Sequence, residues 1–109
     1  MKVPVIGCGS IGKRYISNLL ISNHEVVAGN REKKRRTEVK KFGIKTYINQ
    51  SNLYKNFNPE VAYICTPNSF HIKDAILAAK NYCSLFIEKP ISNDLKNIKK
   101  LEKTFRKIT

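Results

Sequence analysis

The chain has 109 residues, 41% of them hydrophobic, and a formal net charge of +13. That length suits one domain with a modest core rather than two, and the hydrophobic share excludes a disordered chain. No apolar run approaches the ~18 residues of a membrane span, and the N-terminus lacks the order of a signal peptide, so a soluble cytoplasmic protein is expected.

Strands and helices are predicted to alternate along the whole chain. Residues 3–6 form a short apolar run ending in glycine, hence a first strand, with Pro4 near its start where a missing N–H matters least. Ile11, Tyr15, Ile16, Leu19 and Leu20 then recur at helical spacing, and Ser22-Asn23 ends that helix. Residues 25–28 read as a second strand, apolar on both faces, as a parallel sheet covered on two sides requires.

Residues 32–42 predict a charged helix with Val39 and Phe42 as apolar contacts and Gly43 as its C-terminal glycine. A short third strand follows at 45–48. The stretch 49–59 is polar, with a helical turn around Leu53 and Tyr54. Residues 61–65 are a nearly all-apolar fourth strand, broken by Thr66-Pro67-Asn68-Ser69. Ser69 is placed as the N-cap of a helix to Lys80, with Ile72, Ala75, Ile76 and Ala79 on one face. Residues 84–87 are a fifth strand, followed by Glu88-Lys89-Pro90 and a last helix carrying Leu95, Ile98, Leu101 and Phe105. The alternation predicts an α/β fold: a Rossmann-type doubly wound parallel sheet, a single domain over 1–109, incomplete at about five strands. Ligands of such sheets bind beyond the carboxyl ends of the strands.

The charge has a plain reading. The lysines gather on predicted helix faces, at 33, 34, 40 and 41 and again at 96, 99, 100, 103 and 107, without interleaved aromatics. A solvated surface is expected, and no nucleic-acid partner. Cys8, Cys65 and Cys83 are odd in number and show no C-x-x-C spacing, so neither a metal site nor a disulfide framework is indicated.

Gly7-Cys8-Gly9-Ser10-Ile11-Gly12 joins the first strand to the first helix. In a G-x-G-x-x-G loop the first glycine permits the tight turn, the second lets the backbone approach a pyrophosphate, and the third lets helix and strand pack closely. The helix N-terminus adds free N–H groups and a positive dipole end. A methyltransferase is the main rival among ligand-binding proteins. About twenty residues on, a reader of the adenosine ribose is expected. Here the chain has Gly29-Asn30-Arg31. Asn30 can bond a ribose hydroxyl without repelling a 2′-phosphate, and Arg31 can pair with that phosphate or stack on adenine. With Arg35 and Arg36 nearby, the expected cofactor is NADP, with NAD as the alternative.

Three segments in order, Gly7 to Gly12, then Cys65-Thr66-Pro67-Asn68-Ser69-Phe70-His71, then Glu88-Lys89-Pro90, resemble the Gfo/Idh/MocA oxidoreductase family. The resemblance covers the whole chain and departs from the family in lacking the usual acidic residue at Asn30. It implies that Gly7, Gly9, Ser10, Ile11 and Gly12 hold the pyrophosphate, and that Asn30 and Arg31 read the ribose. It also implies that Thr66, Pro67, Asn68 and His71 line the nicotinamide-ribose side. Glu88 and Lys89 would hold the nicotinamide end, with Lys89 as the catalytic residue that steadies charge on a substrate oxygen. The implied activity is hydride transfer to or from a sugar, cyclitol or related hydroxy or keto substrate. The family's C-terminal substrate domain, which usually mediates homo-oligomers, is absent from this sequence, so cofactor binding without turnover is expected. A non-catalytic nucleotide-binding or sensing module is the alternative.

Overall fold

The computed structural model describes residues 1–87, apart from the Asn68 side chain. The expected last helix and the Glu88-Lys89-Pro90 motif lie outside the described residues.

The elements run β1 (Lys2–Ile6), α1 (Ser10–Ile21), β2 (Glu25–Gly29), α2 (Lys33–Val39), β3 (Lys45–Tyr47), α3 (Gln50–Phe57), β4 (Val61–Ile64), α4 (Asn68–Lys80) and β5 (Ser84–Ile87). A 3-10 turn, Lys40–Phe42, extends α2 and ends on Gly43, whose φ of 76° is the left-handed conformation expected there. All pairings are parallel and the sheet order is β3-β2-β1-β4-β5. The chain winds outward from β1 in one direction, then returns through α3 to β4 and winds outward in the other. The reversal puts a topological switch point between β1 and β4.

Strand alternation divides the core into two layers. Val3, Val5, Val26 and Ala28 face α1 and α2, packing with Ile16, Leu19 and Val39. Ile6, Val27, Ala62 and Ile64 face α3 and α4, packing with Leu53, Phe57, Ile72 and Ile76. On the first side, Tyr15 of α1 meets Tyr63 and Phe86 edge-on, both at 5.3 Å between centroids, while those two rings stack at 4.6 Å. This aromatic cluster joins α1 to β4 and to the edge strand β5.

Pro4 sits in the central strand, yet it breaks no ladder. Gly7 N–H donates to Gly29 and Cys65 N–H to Ile6, so residues 3, 5 and 7 turn their backbone groups to β2 while Pro4 and Ile6 turn theirs to β4. Pairing with β4 begins only at Val5. Pro4, which has no N–H to give, therefore lies just before the paired residues of the β1–β4 ladder.

Two local expectations change. The stretch read as polar with one helical turn is the eight-residue helix α3, capped by Asn49, whose side chain accepts from the N–H groups of Ser51 and Asn52. Leu53, Tyr54 and Phe57 supply its buried stripe at i, i+1 and i+4. Helix α4 begins two residues earlier than expected, with Pro67 rather than Ser69 at the cap position. Pro67 has extended backbone and no side-chain donor or acceptor, so the α4 N-terminus has no side-chain cap.

Leu53 is fully buried beneath β1 and β2. Leu53→Ala is expected to lower stability by about 2–5 kcal/mol, measured as the urea midpoint. An unchanged midpoint would mean that α3 contributes nothing to the core.

Candidate functional site at the strand switch point

Three strand ends meet at one level. Gly7, with φ of 98°, turns the chain off β1, and its N–H donates to the Gly29 carbonyl at 2.8 Å. Cys65, leaving β4, donates to the Ile6 carbonyl at 2.7 Å. The approach is so close that a Cβ on Gly7 would come within 2.6 Å of the Cys65 carbonyl carbon and the Thr66 nitrogen. A Cβ on Gly12 would overlap the Gly7 carbonyl oxygen. The third glycine thus brings the first turn of α1 onto the turn made by the first. Gly9 differs from both: a Cβ there would meet nothing within 4 Å, so the space above it is open.

Gly9 is also the N-cap of α1, with no side-chain cap and no acidic residue in the first turn. The leading N–H groups of α1 therefore keep their positive potential for an external anion. Beside them lies a cleft of about 320 Å³. Of the sequence-predicted residues, Gly7, Gly9, Ser10, Ile11, Asn30, Thr66, Pro67 and His71 line it. His71 is 2% exposed, so it is a wall of the cleft and not a surface residue. Gly12 serves packing instead. Asn68 opens α4. Glu88 and Lys89 lie outside the described residues.

Arg31 stands apart from that cleft. It lines a second cavity of about 240 Å³ between the β2–α2 loop and the start of α4. Its guanidinium lies 5.4 Å from the centroid of the Phe70 ring, a cation–π contact between two residues that line this cavity. Asn30, Glu32, Thr66 and Pro67 line both spaces, so the two adjoin. Thr66 Oγ1 is buried with no hydrogen-bond partner among the described residues. A buried hydroxyl in that position is suited to a ligand's polar group.

The loop after β2 is held by its own side chains. Asn30 Oδ1 accepts from Glu32 N–H at 2.9 Å. Arg36 donates to the carbonyls of Asn30 and Arg31 at 2.9 and 2.7 Å, so its charge is spent on the loop rather than offered to a phosphate. Arg35 lines the first cleft and also lies 3.4 Å from the Glu38 carboxylate. Lys13 on α1 bridges to Glu38 on α2 at 2.8 Å; that bond and the nearby Arg35 hold the Glu38 carboxyl below its usual range. Burial pushes the Cys8 thiol up to about 11, against weaker lowering by Lys13, Asn30 and the arginines. Cys8 therefore stays a neutral thiol at neutral pH, and the glycine loop carries no negative charge to repel an anion.

Sequence reasoning missed Glu32, Phe70, Gln50 and Asp74 as lining residues. Glu32 carried a readable signal, an acidic residue two positions past the expected reader. Phe70 and Asp74 share one face of α4 at i and i+4, and only the tertiary structure brings Gln50 of α3 to them.

The model of the Gfo/Idh/MocA oxidoreductase family, NAD-binding Rossmann fold, matches residues 1–108. The chain belongs to this family. Over 105 residues it is 28% identical to myo-inositol 2-dehydrogenase of Thermotoga maritima, a match that covers 93% of this chain and 31% of that protein. The chain thus spans about a third of this relative's length. The WlbA dehydrogenase of Bordetella pertussis, solved with NADH and UDP-GlcNAcA, superposes with a TM-score of 0.89 at 19% identity, over 98% of this chain and 33% of that one. The 3-ketoreductase KijD10 of Actinomadura kijaniata, solved with NADP and TDP-benzene, gives 0.83 at 22% identity, over 98% and 34%. At these identities the two solved structures establish the fold of this Gfo/Idh/MocA domain and not its ligand. Among the described residues, no helix is long and apolar enough to cross a membrane.

Cys83, like Cys8, is raised by burial to about 11. Both groups bind their proton more tightly folded than unfolded, so their contribution to stability is full below about 9 and is lost as pH rises toward about 11. Labelling of Cys8 and Cys83 by a thiolate-selective reagent at pH 7.5 should be slow until denaturant is added. Rapid labelling of both in the folded chain would contradict their burial.

Proposed function

We propose that the chain binds a nicotinamide adenine dinucleotide across the switch point, as the cofactor domain of an oxidoreductase. The observation that carries this reading is the glycine loop: Gly9 caps a helix that has no side-chain cap of its own, below open space. The pyrophosphate would lie on the N–H groups of Ser10, Ile11 and Gly12, with Gly7 and Gly9 keeping its approach clear. Thr66, with its orphaned hydroxyl, would meet the cofactor beside Pro67, Asn68 and His71 on the nicotinamide-ribose side.

The adenosine would extend past the end of β2, with Asn30 and Arg31 at its ribose. NADP is the preferred form, supported by the absence of a carboxylate at Asn30 and by the cations Arg31 and Arg35. Glu32 supports NAD as the second reading, because its residue borders both spaces and a carboxylate there opposes a 2′-phosphate.

When bound, the nicotinamide would supply the hydride acceptor or donor. Glu88 and Lys89 are assigned to its far end, with the Lys89 ammonium steadying charge on a substrate oxygen. The substrate class follows the relatives: a sugar, cyclitol or similar hydroxy or keto compound. Hydride transfer needs that substrate pressed against the nicotinamide, and we assign this surface to a separate substrate domain, with homo-oligomers and a cytoplasmic setting as part of the same reading. The chain by itself would then bind cofactor without turning over.

Calorimetric titration of the chain with NADP and with NAD tests the reading. NADP should bind more tightly, and Glu32→Gln should widen the gap. Gly9→Ala should weaken either dinucleotide by at least about tenfold, or ~1.4 kcal/mol, while leaving the thermal midpoint unchanged, because its Cβ meets no protein atom within 4 Å. Binding unaffected by Gly9→Ala would remove the pyrophosphate from this loop. For the catalytic assignment, Lys89→Ala in a protein that carries the substrate domain should reduce turnover yet spare cofactor binding; a purely sensing module would show no turnover to lose.

A further inference from the structure

Asp74 is 3% exposed, although it lies on the inward side of α4 among Ala75, Ile76 and Ala78. Its Oδ1 accepts from Gln50 Nε2 of α3 at 2.9 Å. A carboxylate oxygen only accepts, so this bond fixes the orientation of the Gln50 amide: its NH2 faces Asp74, and its Oε1 points elsewhere. That Oε1 is buried and has no hydrogen-bond partner among the described residues. A buried acceptor left in this state calls for a donor.

Both residues line the cavity of about 240 Å³ that runs from Thr66 past the end of β2. Neither lines the cleft at the glycine loop. With a pyrophosphate on that loop and a ribose at Asn30, this cavity is where the base of the nucleotide comes to lie. Arg31, Phe70 and Ile48 offer it flat and apolar contact, which suits the face of any purine and selects none. Selection has to come from the edge, where Gln50 Oε1 is a buried acceptor without a partner among the described residues.

Resting on the dinucleotide reading above, we propose that Gln50 Oε1, oriented by Asp74, accepts a hydrogen bond from the exocyclic amine of adenine, so that the site selects adenine over hypoxanthine. Gln50 is the group that touches the base, and Asp74 is a positioning residue that acts through it. In hypoxanthine a carbonyl oxygen replaces the amine, and the donor of that edge moves to ring N1. Two acceptors would then face each other at the position that adenine bridges.

The test compares NADP with its hypoxanthine analogue by calorimetry on the full chain. The wild type should bind the analogue at least about tenfold more weakly, the loss expected for one mismatched buried hydrogen bond. In Asp74→Asn the new amide can donate to Gln50 Oε1 and let the Gln50 amide turn its NH2 toward the base, so the gap should shrink to within about threefold. Gln50→Leu should erase it by removing the acceptor. Equal wild-type affinities for the two dinucleotides would overturn the assignment and leave the cofactor reading standing. So would a full gap retained in folded Gln50→Leu. Binding of neither dinucleotide would overturn both. The wild-type comparison decides even if a variant fails to fold.

Discussion

The meeting of three parallel strand ends is the constraint on which the rest of the molecule depends. Two backbone hydrogen bonds, from Gly7 to Gly29 and from Cys65 to Ile6, draw β2, β1 and β4 level. The space left between the β1 turn and the β4 turn is too small for a Cβ at Gly7, and the space between that turn and α1 is too small for one at Gly12. Because these gaps are closed by backbone, the start of α1 and the start of α4 hold fixed positions on either side of the switch point. The cleft between them is therefore a product of sheet topology, with side chains refining it.

Within this frame, charge and burial divide the work. Glycine at the α1 cap leaves the helix end electropositive, and the buried Cys8 thiol keeps the loop neutral. Arg36 is absorbed by two loop carbonyls and Lys13 by Glu38. Arg31 and Arg35 border the cavities, Arg35 while also pairing at 3.4 Å with Glu38. A formal charge of +13 thus says little about the ligand by itself. What matters is which cations the fold has already used.

Much of this was legible in the linear sequence because it is written in local rules. The two-sided apolar runs required a parallel sheet buried on both faces. The helical spacing of Ile16 and Leu19, the glycine after α2 and the G-x-G-x-x-G loop between strand and helix each report a backbone geometry set within a few residues. Helix α3 was underestimated because its apolar stripe is short and polar residues surround it. Asn49 in fact satisfies its first N–H groups, and β1 and β2 bury its Leu53.

Tertiary structure alone decided which side chains share a space. Nothing in the spacing of Gln50 and Asp74, or of Arg31 and Phe70, indicates contact, since each pair joins elements separated by a strand crossover. Nor does the sequence show that Gly12 is shaped by the Gly7 carbonyl, that Arg36 is committed to the loop, or that Thr66 Oγ1 is left without a partner. Backbone preferences act over a few residues and can be read in order. Burial, mutual approach and the satisfaction of polar groups depend on where distant segments pack, and the assembled sheet supplies that information.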